Sequence, residues 1–320
     1  AYFGLQVINT NPRTGFKAII NQVKKSVLTI TDVVFIIAPR INAAGRMEHG
    51  QHAVNLLTEG NMEQAQKFAA EIEKYNIDRR SLDQEITQEA LAQIQENEEE
   101  ERFTSVVYKE SWHKGVIGIV ASRLTDTYYR PTLVFTKSGD KLAASARSVK
   151  GFDVYNALKG CADCIEQFGG HKYAAGLTLL EEQYEAFKRQ FEKVVSETID
   201  PALLTPEITV DAKLEVKDIT PKLMRILNQF APFGPGNMTP VFLCEGLTDT
   251  GYAKGVGQEG AHLKFAVTQN GYGPVGGIGF NMGDKLSSVI SRKPFDAVFS
   301  IDENEWQGNI SLQLKLKDLR

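Results

Sequence analysis

Hydrophobic and polar positions change their rhythm three times along this chain. From Asn61 to Asn97 there is neither Pro nor Gly, and apolar groups recur at Ala65, Phe68, Ala69, Ile72, Tyr75, the stem of Arg79, Leu82, Ile86, Ala90, Leu91 and Ile94. Steps of three and four residues mark one face of a helix, and a helix of that length runs roughly 50 Å at about 1.5 Å per residue. One apolar stripe on an acidic remainder suits a strut between two bodies, with the glutamates 98–101 as its solvated end. Before the strut, short apolar runs broken by Asn-Pro, Pro-Arg and Gly fit the edge of an α/β domain. The most apolar run, 27–38, contains Thr29, Thr31 and Asp32 and suggests buried strands.

After the strut the pattern predicts strands at 104–108, 131–136, 141–146 and 174–179, alternating with helices at 115–127, 152–165 and 181–198. That alternation implies a small α/β domain with helices packed on its sheet. Two prolines and a polar break at 199–206 mark a linker. From Glu207 onward the chain turns to short alternating strands, 208–216, 241–253, 262–268, 274–280, 295–301 and 310–316, with one helix at 221–230. Short strands with Gly-rich turns fit a small closed barrel such as an OB-fold, and equally a sandwich. The expected class is α/β plus β: the end of an α/β domain (1–57), a connecting helix (58–101), an α/β domain (102–199), a linker (200–206) and an OB-like β domain (207–320).

Composition narrows this little: 320 residues, 42% hydrophobic and 24% charged, is globular and about two domains' worth. Disorder and collagen are excluded, and no window approaches the ~18 apolar residues of a membrane span. No secretory leader pattern opens the chain. A start at Ala1, in what reads as the middle of a domain, suggests a piece of something longer. Charge is more informative. The net of -4 argues mildly against a nucleic-acid partner, but it averages two regimes. Residues 58–101 hold 13 acidic and 4 basic groups, while the remainder holds 32 basic against 27 acidic. Cys161, Cys164 and Cys244 are too few for a disulfide framework. The Cys161-x-x-Cys164 pair lacks the second pair of a structural zinc site, which leaves buried thiols in a reducing cytoplasm as the plain reading.

Four segments carry candidate chemistry. In 41–47 small residues bring the backbone close while Asn42 and Arg46 offer donors suited to phosphate oxygens; the plain alternative is a turn with an exposed arginine. In 112–123 a polar loop with His113 and Lys114 opens a Gly-rich helix, and helix starts bind anions; tight packing explains Gly118 but not Trp-His-Lys. In 144–148 Ser145 and Ser148 flank Arg147 at a strand end. In 168–176 Gly169 and Gly170 let a loop turn sharply before His171, which can exchange a proton with a phosphate. His49 and His52, beside Glu48, have helical ligand spacing but no further carboxylate motif. Neither a G-x-x-x-x-G-K-[ST] loop nor a G-x-G-x-x-G fingerprint is present.

Taken in order, these segments resemble the bacterial single-strand-specific DNA exonucleases of the DHH/DHHA1 phosphoesterase superfamily. The matching pieces are 38–46, 112–123, 145–148, 168–176, 231–237, Pro240-Val241-Phe242 and His262-Leu263-Lys264-Phe265. The Gly-Gly-His segment alone is shared with oligoribonucleases and cyclic-dinucleotide phosphodiesterases, which usually lack a β domain after it. The resemblance implies 5′-to-3′ hydrolysis of single-stranded DNA with Mn²⁺ or Mg²⁺ held by an upstream DHH domain. The Asp-His-His triplet of that domain is absent, so 1–57 is expected to be the tail of the DHH domain and 102–199 the DHHA1 domain. The chain is expected to bind DNA weakly, to hold no metal and not to cut alone. His171 is implied as the catalytic residue, with Ser145, Arg147 and the Gly169-Gly170-His171 loop holding the terminal or scissile phosphate and His113, Lys114 and Ser148 as further phosphate- or DNA-binding residues. Asn42 and Arg46 would grip the next phosphates. Tyr252, Lys254, His262 and Lys264, on barrel strands, would hold the strand by charge and stacking. Single-stranded DNA is the expected partner, single-strand-binding and other repair proteins are candidates, and the expected location is cytoplasmic with no membrane contact. A non-catalytic nucleic-acid-binding module is the alternative from another class.

Overall fold

Helices α1 (Tyr2–Thr10) and α2 (Thr14–Val23) open the chain, and a capping box then sets the conformation of the apolar run after them. The Asp32 carboxylate accepts the Thr29 backbone N–H at 2.8 Å while the Thr29 hydroxyl accepts from Asp32 N. Such reciprocal caps start helices. The apolar run 27–38 is therefore not the buried strands its hydrophobicity suggests. It forms α3 (Ile30–Asp32), a π-helical turn (Val33–Ile37) and the start of α4 (Ala38–Met47). One side of this stretch is buried through Leu28, Ile37, Ala43 and Ala44, and the other leaves Val27, Val34 and Phe35 exposed. Helix α5 (Gln51–Thr58) completes a region with no strand among the described residues. The computed structural model describes residues 1–23, 25–291 and 293–320, divided into two units, Ala1–Pro206 and Glu207–Arg320.

The strut forms as its spacing predicts. Helix α6 (Met62–Glu96) starts at Asn61, whose side chain accepts the Gln64 N–H, and ends at Asn97. Its first half puts Ala65, Ala69 and Ile72 into a core with Ile19, Leu28, Ile37 and Leu56. Its second half puts Ile86, Ala90 and Ile94 against Val107, Trp112, Val120 and Leu124. Burying each large aliphatic is worth roughly 1.5–3 kcal/mol, so one helix is held by two cores. Between them lie two polar residues that periodicity did not single out, buried Asn76 and Asp83. The glutamate run is only partly solvated: Glu99 is buried and pairs with Lys188 at 2.8 Å and Arg102 at 3.3 Å.

The sheet of the first unit runs β1 (Ser105–Tyr108), β2 (Thr132–Ser138), β3 (Lys141–Arg147), β5 (Ala174–Leu179), β4 (Gln167–His171), in that spatial order. The β1–β2 pair is parallel and the rest antiparallel. Helix α7 (Ile117–Tyr128) crosses between β1 and β2 and, with α6, covers the face bearing Val107 and Val134. Helices α8 (Val154–Lys159) and α9 (Tyr184–Thr198) cover the other face, over Val106, Leu133, Phe135, Ala144, Ala146 and Leu177. The helix expected at 152–165 stops at Lys159 and resumes as a 3-10 turn, Ala162–Cys164. Residues 168–171 are an edge strand rather than a loop, because Gly169, Gly170 and His171 pair in register with Gly176, Ala175 and Ala174.

The second unit contains β6 (Ala212–Lys213), α10 (Pro221–Asn228), β7 (Phe242–Asp249), β8 (Lys254–Val256), β9 (His262–Gln269), β10 (Tyr272–Gly279), α11 (Leu286–Ile290), β11 (Phe295–Trp306) and β12 (Asn309–Leu319). Spatial order is β6-β7-β11-β12-β10-β9-β8, and β7 also pairs with β9 through Thr248↔Thr268 and Asp249↔Val267. The sheet thus curls until it meets itself, with β10 parallel to β12, instead of splitting into a sandwich. Alternation points Leu263, Phe265 and Val267 inward, onto Cys244, Leu247, Phe299 and Leu314. The strand expected at 208–216 shrinks to β6 because a capping box between Glu215 and Asp218 bends the chain into a 3-10 turn. No helix among the described residues is long and apolar enough to cross a membrane.

Candidate nucleic-acid interface

Strand register gathers four of the phosphate-donor candidates, Ser145, Arg147, Gly169 and His171, on one face. Arg147 pairs with Ala174, which pairs with His171; two residues on, Ser145, Gly176 and Gly169 form the next row, and Ala143, Thr178 and Gln167 a third. Residues two apart share a face, here the one opposite the α8–α9 core. Because α7 covers only the β1–β3 side and the rows between Arg147 and His171 carry Ala and Gly, the β5–β4 side is a shallow trough. Its volume is about 450 Å³, and Lys114 stands at its wall, held by the Ser138 hydroxyl at 3.0 Å.

Two glycines let the trough close up. A Cβ on Gly118 would stand 2.9 Å from Ser145 Oγ and 3.0 Å from Arg147 Nη2, so a side chain there would displace the two donors. Gly170 has φ +151°, and a Cβ there would lie 2.5 Å from Ala175 Cα. Arg147 Nη1 donates to Ser145 Oγ at 3.0 Å and to the Ala146 carbonyl at 2.7 Å. Burial, and after it the nearby charge of Arg46, hold the Arg147 guanidinium below its ordinary pKa. Arg46 comes from α4 and donates to the Gly115 carbonyl at 3.2 Å. Neither arginine has a carboxylate partner among the described residues, and guanidiniums left unneutralised within electrostatic reach of one another are chemistry suited to an anion.

The remaining candidates of this unit take varied places. Asn42 is exposed one turn before Arg46, on the same face of α4. His113 shapes its own loop, its Nδ1 accepting the Gly115 N–H at 3.1 Å. Ser148 is engaged in the turn after β3, donating to the Phe152 carbonyl at 3.1 Å. His49 Nδ1 accepts the Gln51 N–H at 3.1 Å while His52 faces Glu71 at 3.4 Å, so the two are separately engaged. Among the described residues no three His, Cys, Asp or Glu are grouped to hold a metal ion, so the described residues do not fit a metal centre. Burial pushes the Cys161 thiol up to about 12, which leaves it unreactive at neutral pH.

In the second unit the outward residues of the curled sheet line up. Lys254 pairs across β8–β9 with Lys264, Lys264 with Ile278, and Ile278 with Lys315. Tyr252 lies in the loop before β8, not on a strand, and the Lys254 ammonium sits 5.0 Å from its ring centroid. The His262 ring meets Phe280 edge-on at 5.4 Å, and the Lys315 ammonium lies 5.8 Å from the Phe280 centroid. Sequence reasoning missed Lys315 and Phe280. Alternation at Leu314, Lys315 and Leu316 marks Lys315 as outward, but only the parallel β10–β12 pairing sets it in one row with Lys264, with Ile278 between them.

An α/β domain carrying an arginine–hydroxyl trough, followed in one chain by a curled β domain with a cationic, aromatic outer row, is the arrangement of a DHHA1 domain joined to an OB domain. Residues 101–197 match the DHHA1 domain and residues 210–318 the RecJ OB domain. The chain is 32% identical over 322 residues to the single-stranded-DNA-specific exonuclease RecJ of Bacillus subtilis, covering 99% of this chain and 41% of that protein. It is 33% identical over 318 residues to RecJ of Salmonella typhimurium, covering 96% and 54%. The crystal structure of RecJ in complex with Mn²⁺ from Thermus thermophilus superposes with a TM-score of 0.85 at 29% identity, over 99% of this chain and 45% of that one; the Mg²⁺ complex gives 0.84 at 28% identity. The chain belongs to the RecJ family and spans about half the length of the curated relatives it matches.

Proposed function

We propose that this chain is the strand-holding part of a single-stranded-DNA-specific 5′-to-3′ exonuclease. The observation that carries the reading is the pair Arg147 and Arg46, unneutralised among the described residues, beside a glycine-floored trough with His171 one row beyond it on the same sheet face. A terminal or scissile phosphate in the trough meets Ser145, Arg147, Lys114 and His171, with Asn42 and Arg46 reaching the phosphate beyond it. His171, exposed in the row beyond the trough, would stabilise charge developing on that phosphate. The row Lys254, Lys264 and Lys315 with Tyr252 and Phe280 suits a single strand held by charge and stacking.

Two divalent ions of the kind named for the Thermus relatives would supply the nucleophile and neutralise the phosphate. They would be held by residues other than this chain's, so it is expected not to cleave DNA alone. The proposed division is a DHH tail over 1–57, the strut over 58–101, DHHA1 over 102–199, the linker and then the OB domain over 207–320. Single-strand-binding and other repair proteins are the proposed protein partners, and the cytoplasm the proposed location. A relative acting on short RNA or cyclic dinucleotides is disfavoured by the OB domain.

The test is binding of the chain to 5′-phosphorylated single-stranded and duplex DNA across a salt series with and without Mn²⁺. Expected are preference for the single strand, affinity that falls steeply with salt, and no cleavage. Equal affinity for duplex, or a flat salt dependence, would refute the reading.

A further inference from the structure

A second groove of about 910 Å³ lies along the middle of α6 and plays no part in the trough. Phe35 and Arg40 enter it from the π-helical turn and α4, Ile77, Arg79 and Arg80 from α6, and Arg123 from α7. It is basic. Arg40 is matched by Glu73, its Nη2 donating at 3.1 Å. Asp83, with 1% of its surface exposed, accepts Arg123 in bidentate fashion at 2.8 and 2.6 Å and lies 3.8 Å from Arg79. Two carboxylates thus serve four guanidiniums, and Arg80 is exposed with no ion pair among the described residues.

The groove is also aromatic. Phe35 is 74% exposed and Ile77 55% exposed, an unusual allowance for a large ring and a branched aliphatic facing four arginines. The π-helical turn inserts extra backbone just before α4, and such insertions recur at functional sites. A stacking surface flanked by fixed positive charges is the chemistry that holds unpaired nucleotides. Arg79, lining the groove, is held below its ordinary pKa by burial first and then by the charges of Arg46, Arg80 and Arg123, so Arg46 stands within electrostatic reach of the groove.

We propose that this groove is a second single-strand track: Phe35 stacks a base, and Arg80 and Arg123 flank phosphates of the same strand whose end lies in the trough. The proposal rests on the reading under Proposed function and assigns a further part of the strand to the strut.

The test uses the 320-residue chain, with strands of about 12 nucleotides and of about three nucleotides, both 5′-phosphorylated and labelled at the 3′ end; a single strand is tracked over several nucleotides by such grooves. Arg80→Glu is expected to weaken the longer strand about tenfold at moderate salt and to lower the slope of log affinity against log salt by about one. It leaves the trinucleotide unaffected. Phe35→Ala is expected to weaken the longer strand about fivefold or more with little change in slope and no change in the thermal midpoint. Wild-type affinity for the longer strand in both variants overturns the track alone. So does a drop in thermal midpoint with Phe35→Ala, which would make the ring a packing residue, or displacement of the strand from the groove by polyglutamate, which would assign the groove to an acidic protein segment. Failure of the wild-type chain to bind either strand would instead sink the underlying reading, and Arg147→Met provides the separate control for the trough.

Discussion

Two arginines in the same α/β domain are expected to respond oppositely to one substitution. Arg147→Met keeps the bulk of the side chain and removes the guanidinium. On the folding side it loses two hydrogen bonds, to Ser145 Oγ at 3.0 Å and the Ala146 carbonyl at 2.7 Å, each worth about 0.5–1.5 kcal/mol net. It also removes a half-buried charge that has no carboxylate partner among the described residues and is repelled by Arg46, a change that is neutral or favourable. The two effects nearly cancel, so stability should move by no more than about 1 kcal/mol in either direction. On the binding side, charged hydrogen bonds to phosphate are worth about 1.5–3 kcal/mol, a loss of roughly 10- to 150-fold in affinity. Arg130 is the contrast. It is 3% exposed and donates to the carbonyls of Glu99, Glu100 and Arg102 and to Ser105 Oγ. Arg130→Met orphans those buried acceptors and should cost about 3 kcal/mol or more, with the affinity of the surviving folded protein unchanged. Urea unfolding by circular dichroism and fluorescence anisotropy with a 5′-phosphorylated strand measure the two sides. An Arg147→Met variant that unfolds as readily as Arg130→Met while keeping wild-type affinity would overturn the assignment of both residues.

Four further outcomes depend on particular geometry. Gly169→Ala should fold normally, since a Cβ there has nothing within 4 Å, yet weaken strand binding by placing a methyl on the trough floor. Gly170→Ala, whose Cβ meets Ala175 Cα at 2.5 Å, should instead cost about 1–3 kcal/mol and expose the 167–171 amides to hydrogen exchange. Lys264→Glu should raise stability by about 0.2–1 kcal/mol in urea unfolding, because it converts a like-charge cross-strand pair with Lys254 into an opposite one, and should weaken binding to the single strand. Lys109 and Trp112 donate to the Glu89 carboxylate at 2.7 and 2.6 Å and hold its pKa below the ordinary value. A carboxylate depressed in the folded state adds stability above its unfolded pKa of about 4.3 and loses it as pH falls through the lower folded value. Glu89→Gln should therefore lower the thermal midpoint at pH 7 and flatten its decline on the acid side; a difference from wild type that stays constant from about pH 7 to about pH 3 would refute this.

Local patterns determined the strut, the helices α7, α9 and α10, and most strands of both domains, because each is a response of nearby side chains to one buried face. Asn61 even caps the strut where the Pro- and Gly-free stretch begins, just after Gly60. Periodicity misled where capping competed with it: 27–38 is apolar enough for strands, yet the short-range Thr29–Asp32 box commits it to helices. It misled again at 168–171, where two glycines suggest a loop but long-range pairing with Ala174, Ala175 and Gly176 makes a strand. The candidate residues were legible as chemical types, since phosphate donors near glycines stand out in any sequence. Their relations were not. That Arg147 and His171 share a row, that Arg46 repels Arg147, that Lys315 joins Lys264, and that Phe35 stands among arginines are consequences of register and packing between segments far apart in the chain. The sequence by itself determined the inventory of donors and the elements that carry them. Tertiary structure alone decided which charges are left unneutralised side by side, because neutralisation depends on who is near in space.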